Sequence, residues 1–236
     1  MTDSLPPDQP TAPAARRVLV VTLVVAVAWN LIGNLLLPGV LYVPANLGIV
    51  VLLVVIARRA GFDLAALGLD RSTWGSGLRY GLIAMAVVAA GLAIAVFLPW
   101  TEDVLLDDGV RDDSTFDRWF VPLVRIPLGT ALYEEVLFRS VLFGALVVLV
   151  GTRWTLVVTS ILFGLWHIVP SWETAEGGFV STAGSIVGAV GLTTVAGFLF
   201  GGLRLWSKSA LAPILAHTAT NSFAYVAALI AIERAG

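Results

Sequence analysis

An all-α, polytopic transmembrane bundle is the fold class that the sequence predicts, on three observations. Of the 236 residues, 58% are hydrophobic and only 13% are charged, whereas ordinary soluble domains carry roughly 25% charged residues. The apolar residues gather into runs of about 20, the number an α-helix needs to cross a hydrocarbon core roughly 30 Å thick. Short segments that hold most of the charge separate these runs. Seven spans are expected, or eight if a further crossing precedes Glu134, together with an interfacial helix.

Residues 1–17 read as a disordered leader, because Pro6, Pro7, Pro10 and Pro13 interrupt a polar stretch that ends at Arg16 and Arg17. Residues 18–236 then form one membrane-embedded domain. The first span covers 18–37 and stops at Pro38-Gly39, a helix-terminating pair. Ala26-Val27-Ala28 resembles a signal-peptide cleavage site, but the apolar run continues beyond it, which suits a retained anchor. The second span covers 40–57 and ends at Arg58-Arg59. The third covers 77–98, with Trp100 beyond it as an interfacial anchor.

Residues 101–118 are acidic, with seven carboxylates against Arg111 and Arg118, and read as a solvated loop. Residues 120–150 are longer than one span requires. Pro122 and Pro127 are expected to separate an interfacial entry from the helix that carries Glu134, Glu135 and Arg139. A fifth span follows over 154–169, a sixth over 179–203 and a seventh over 211–232, the last with Pro213 in its first turn, where proline is tolerated.

Lys and Arg near span ends set orientation. With a cytoplasmic N terminus, Arg16, Arg17, Arg58, Arg59, Arg71, Arg79, Arg153, Arg204 and Lys208 all fall inside, and the outer loops are mainly acidic. The reading is a multi-pass protein of a bacterial cell membrane. The chain has no cysteine, which excludes disulfides, thiolate catalysis and Cys-ligated metal, and it has no basic patch suited to nucleic acid. Membrane lipid and a peptide or membrane-protein substrate are the expected partners.

Glu134, Glu135 and Arg139 stand in an apolar helix, where an ionisable group is penalised by roughly 2.5–3.5 kcal/mol on insertion scales and by default marks a functional site. Glu135 and Arg139 are four residues apart with the acid first, the favoured order for an ion pair on one helix face. Glu134 lies about 100° around the helix and has no partner on it. The two histidines of the chain, His167 and His217, both fall in predicted spans, and either could serve as that partner. Four-residue spacing stacks Phe163 on His167 and puts Asn221 on the same face as His217.

A carboxylate, two imidazoles and an amide suit water activation. The carboxylate removes a proton, one imidazole orients or ligates the water, and the second imidazole with the amide stabilises an oxyanion. Glu134, His167 and His217 could in principle supply three zinc ligands, although the soluble His-Glu-x-x-His arrangement is absent. No Gly-x-Ser-x-Gly elbow supports a serine nucleophile.

In these residues the sequence resembles the CAAX-protease and bacteriocin-processing family of intramembrane proteases, also called Abi or CPBP, which includes the type II CAAX prenyl endopeptidases. Glu134-Glu135-x-x-x-Arg139, Phe163-x-x-x-His167 and His217-x-x-x-Asn221 match its three motifs in order, within residues 128–222. The resemblance implies a hydrolase in which Glu134 is general base with His167 as its partner. It also implies that His217 and Asn221 form the oxyanion site, Glu135 and Arg139 hold the helix, and Phe163 walls the pocket. The family is commonly described as metalloendopeptidases, which would place one divalent ion such as zinc on Glu134, His167 and His217, and a metal-independent glutamate mechanism has also been argued for it. A non-catalytic immunity or scaffold protein and a small proton-coupled transporter are the competing readings, from other functional classes.

Overall fold

The computed structural model describes residues 10–98, 101, 108–174 and 179–235, and every regular element among them is helical. Helices α1 (Ala12–Leu35), α2 (Tyr42–Arg59) and α3 (Trp74–Ala95) correspond to the first three expected spans. α1 begins five residues before the leader was expected to end. Thr11 supplies an N-cap oxygen to the Ala14 amide and Pro13 occupies the first turn, where its missing N–H leaves no bond unmade. Arg16 and Arg17 are therefore helical. The rest of the expected leader, residues 1–9, lies outside the described residues.

Six helical segments are long and apolar enough to cross a membrane, and the longest, Thr115–Trp172, has 58 residues. An unbroken helix of that length would extend about 87 Å at 1.5 Å per residue, roughly three times the hydrocarbon thickness. The segment reverses direction instead. At Gly151 φ is 75° and ψ is 166°, a backbone region essentially reserved for glycine. Beyond it the chain folds back, so that Phe138 meets Phe163 with ring centroids 5.3 Å apart and Glu134 meets Trp166. One long segment thus folds into a hairpin of two arms, and the six long segments agree approximately with the expected seven or eight spans. Gly151→Ala should lower stability by about 1–3 kcal/mol through backbone strain alone, since open space surrounds the position; a thermal melt in detergent measures it.

The rising arm of this hairpin is continuous. α4 (Thr115–Phe120) leads into a wide, π-type stretch over Val121–Ala131, one α-turn, α5 (Leu132–Glu135), and a second π-type stretch over Val136–Leu142. The separation expected at Pro122 and Pro127 does not occur. A proline ring in an α-helix clashes with the carbonyl four residues back, and the wider turn moves that carbonyl away. The acidic loop is also shorter than expected, because Ser114 caps α4, and Asp113 accepts a hydrogen bond from the Tyr225 hydroxyl. Residues 102–107 of that loop are outside the described residues.

The falling arm and the end of the rising one form α6 (Phe143–Trp166), broken at Gly151, followed by α7 (Ile168–Thr174), α8 (Phe179–Ser207) and α9 (Leu211–Ala235). α6 and α8 approach closely through glycine: a Cβ on Gly197 would stand 2.9 Å from the Ser160 Cα, and one on Gly164 would stand 2.7 Å from the Val190 carbonyl. Small residues allow such contact where no hydrophobic driving force exists between helices. Residues 133–146 are all buried, on every face of their helix. α1, α2, α6, α8 and α9 surround this arm, and their outward faces carry exposed valines, leucines and isoleucines such as Val24, Val51 and Leu192. A polar group on the central arm therefore faces protein on all sides.

Candidate active site

Glu134 and Glu135 occupy the short α-turn α5, with a wide turn on either side. Such local widening is frequent at functional sites. Because the two positions differ by about 100° around the axis, the two carboxylates enter different surroundings.

Glu135 is fully buried. Its Oε1 lies 3.1 Å from Arg139 Nη1, as the four-residue spacing predicts, and 2.8 Å from His217 Nδ1 on α9, which the spacing alone does not reveal. Arg139 is also fully buried. It donates through Nη2 to the Gly197 carbonyl at 3.3 Å, and its Cζ sits 4.1 Å above the Phe163 ring. The guanidinium is therefore held by an anion, a carbonyl and an aromatic face, a set that compensates a buried cation. His217 is fixed in turn: Glu135 holds Nδ1, Asn221 Nδ2 lies 3.2 Å from Nε2, and Phe200 stacks on the ring at 5.0 Å with a 21° interplanar angle. With the Nδ1 proton on the Glu135 side, Asn221 donates to the Nε2 lone pair.

Glu134 is 7% exposed. Its Oε1 accepts a hydrogen bond from Trp166 Nε1 at 3.2 Å, and Trp166 is anchored by Asn30 of α1, whose side chain donates to the Trp166 carbonyl. Its Oε2 has no partner and lies 3.9 Å from His217 Nε2. That separation is too long for a direct hydrogen bond. It leaves Oε2 free to accept from a small polar partner.

His167 does not contact Glu134. It stands at the C-cap of α6, with φ −85° and ψ 1°, where the last carbonyls of a helix lack partners, and its Nδ1 lies 2.8 Å from the Phe163 carbonyl. That nitrogen is committed locally because the helix ends there. Phe163 nevertheless links the two histidines, edge-on to His167 at 4.9 Å and to His217 at 5.7 Å.

Among the described residues no set of three His, Asp or Glu side chains is arranged to hold a metal ion. Glu134, His167 and His217 do not converge, and both nitrogens of His217 are already engaged by Glu135 and Asn221. The donor set does not fit the zinc site that the motifs allowed. Trp166, Phe200 and Asn30 went unrecognised in the sequence. The one available signal was at Trp166, an N–H donor inside an apolar run and next to a motif histidine.

Residues 116–223 match the family model described as type II CAAX prenyl endopeptidase Rce1-like, and this interval holds all seven motif residues. No curated protein and no solved structure matches the chain.

Proposed function

From the match of residues 116–223 to the family model described as type II CAAX prenyl endopeptidase Rce1-like, we propose that the chain is an intramembrane endopeptidase that hydrolyses a peptide bond with water activated by Glu134. The observation that carries this is the unpartnered Oε2 of Glu134, buried and 3.9 Å from His217 Nε2. A buried carboxylate oxygen without a donor has no value to stability. It is available to accept a proton from water.

In this reading, water sits on Glu134 Oε2, in the gap that separates that oxygen from His217. As its oxygen attacks the carbonyl carbon, its proton passes to Glu134 and the carbonyl π electrons move onto oxygen. Asn221 Nδ2–H, directed to His217 Nε2 in the resting arrangement, is the donor at hand for that oxyanion. Collapse of the tetrahedral species breaks the C–N bond, and Glu134 returns the proton to the leaving nitrogen. The products are one carboxylic acid and one amine, with Glu134 restored. Glu135, held between Arg139 and His217, positions the imidazole and stays outside the proton transfer. His167, with Nδ1 committed to the Phe163 carbonyl, offers Nε2 to substrate from the other side of Phe163.

The substrate class that the family description suggests is a prenylated C-terminal Cys-a-a-X sequence, cut after the cysteine. Full-length protein in liposomes, given a farnesylated peptide of this kind and an unprenylated twin, should release the intact tripeptide from at least the first, as read by mass spectrometry. No tripeptide from either peptide overturns the reading. Trp166→Phe removes the donor to Glu134 Oε1, and a hydrogen bond to a charged group is worth about 1.5–3 kcal/mol. The expected result is a fall in kcat of about tenfold or more with KM little changed. Equal effects on both constants would assign Trp166 to substrate binding.

A membrane orientation follows from the same reading. Pro10, Phe62, Thr152 and Lys208 line one cavity, so the start of α1, the α2–α3 loop, the hairpin tip and the α8–α9 turn share one end of the bundle. That end carries Arg58, Arg59, Arg153, Arg204 and Lys208. The positive-inside rule puts it, and the N terminus, in the cytoplasm.

A further inference from the structure

Arg204, near the end of α8, takes no part in the proposed chemistry. It is more than nine-tenths buried, and among the described residues no carboxylate pairs with it. Its Nε donates to the Arg139 carbonyl at 3.1 Å and its Nη2 to the Ala66 carbonyl at 3.1 Å, while Nη1 makes no hydrogen bond. A buried cation is expected to have a counter-charge. Gly68, at φ 69°, leaves room for the guanidinium, since a Cβ there would lie 2.4 Å from the Arg204 Cζ.

The Arg204 side chain lines a cavity of about 450 Å³ at the basic end of the bundle. Lys208 stands in its rim, exposed, and is the one non-glycine residue among those described with positive φ, at 57°. A left-handed lysine is strained where glycine would be relaxed, and such outliers persist where the side chain has a task. Thr152 adds a hydroxyl to the lining. Asp63 adds a carboxylate, but its Oδ1 already caps the Ala66 amide at 2.7 Å. The rest of the wall is apolar, and Val147 opens it towards the outer, lipid-facing surface of the hairpin.

We propose that this cavity binds the phosphate headgroup of an anionic phospholipid, with Arg204 and Lys208 on the phosphate and the acyl chains along Phe143 and Val147. A cationic pocket at a helix end, open to the membrane side, is the arrangement that selects acidic lipids. The juxtaposition also ties lipid to the proposed site, because Arg204 bonds the backbone of Arg139.

Native mass spectrometry of the full-length protein, titrated in detergent with phosphatidylglycerol or phosphatidylcholine, tests this directly. Each cation is expected to contribute about fivefold, so phosphatidylglycerol should bind about 25-fold more tightly. Lys208→Gly relieves the left-handed strain and should keep or raise the melting temperature while cutting the preference about fivefold. Arg204→Gln should likewise cut it about fivefold, and if that variant does not fold, Lys208→Gly decides alone. Equal binding of the two lipids, or an unchanged preference in Lys208→Gly, overturns the proposal. Displacement of bound phosphatidylglycerol by millimolar inorganic phosphate also overturns it, in favour of a soluble anion.

Discussion

Glu134→Gln is expected to reduce peptide hydrolysis by about 10²–10⁴-fold, the range that a positioned general base supplies, while the protein stays folded. The substitution is nearly isosteric. An amide oxygen can still accept from Trp166 Nε1, so the contact between the two arms of the hairpin persists. What disappears is the basic oxygen at the Oε2 position, for which no other group in the described structure substitutes: Glu135 is sealed at 0% exposure between Arg139 and His217. Activity on the tripeptide-releasing reporter and a melting curve should be measured on the same preparation. Hydrolysis at the wild-type rate would remove Glu134 from the chemistry and assign the general base to another group.

Glu135→Gln is expected to act on the other quantity, stability. Removing one member of a buried ion pair leaves an uncompensated charge and costs about 3–5 kcal/mol. Here the stranded group is Arg139, left with the Gly197 carbonyl and the Phe163 ring. At about 2–4 °C per kcal/mol for a chain of this size, the melting point should fall by roughly 6–20 °C. The double variant Glu135→Gln/Arg139→Met should recover much of that loss, since a buried pair is often replaceable by apolar packing. It should not recover activity, because His217 loses the carboxylate that orients it. A double variant that regained full activity would show that Glu135 serves only to neutralise Arg139.

These two expectations divide one short sequence between chemistry and support, and the division was already present in the spacing. Glu135 and Arg139 at four-residue separation could pair, and Glu134, one residue away, could not join them. The pairing partner of Glu134 was not legible in the same manner. The sequence left His167 and His217 both open and the family resemblance implied His167, but that residue terminates α6 and its Nδ1 is taken by the Phe163 carbonyl. Trp166, one residue earlier and still helical, reaches the carboxylate instead. A boundary shift of a single residue decides the contact, and helix ends are the least certain feature of any sequence pattern.

The all-helical class, the approximate number of spans and the placement of every motif residue on a helix or at its end followed from the sequence alone. Apolar runs of bilayer length, punctuated by charge and by Pro or Gly, admit few other structures when every backbone group must be satisfied within its own segment. Which helix stands at the centre did not follow. The motif arm is no more apolar in sequence than α8 or α9, yet residues 133–146 are buried on every face, because lipid and protein interior are equally good solvents for apolar side chains and hydropathy cannot tell them apart. Tertiary structure alone decided that Glu135 would hold His217 from 82 residues away, that the continuous arm would absorb Pro122 and Pro127 in wide turns, and that Arg204 would be buried without a carboxylate. Each depends on what a neighbouring helix brings to the same depth, a long-range relation that periodicity along one chain does not encode.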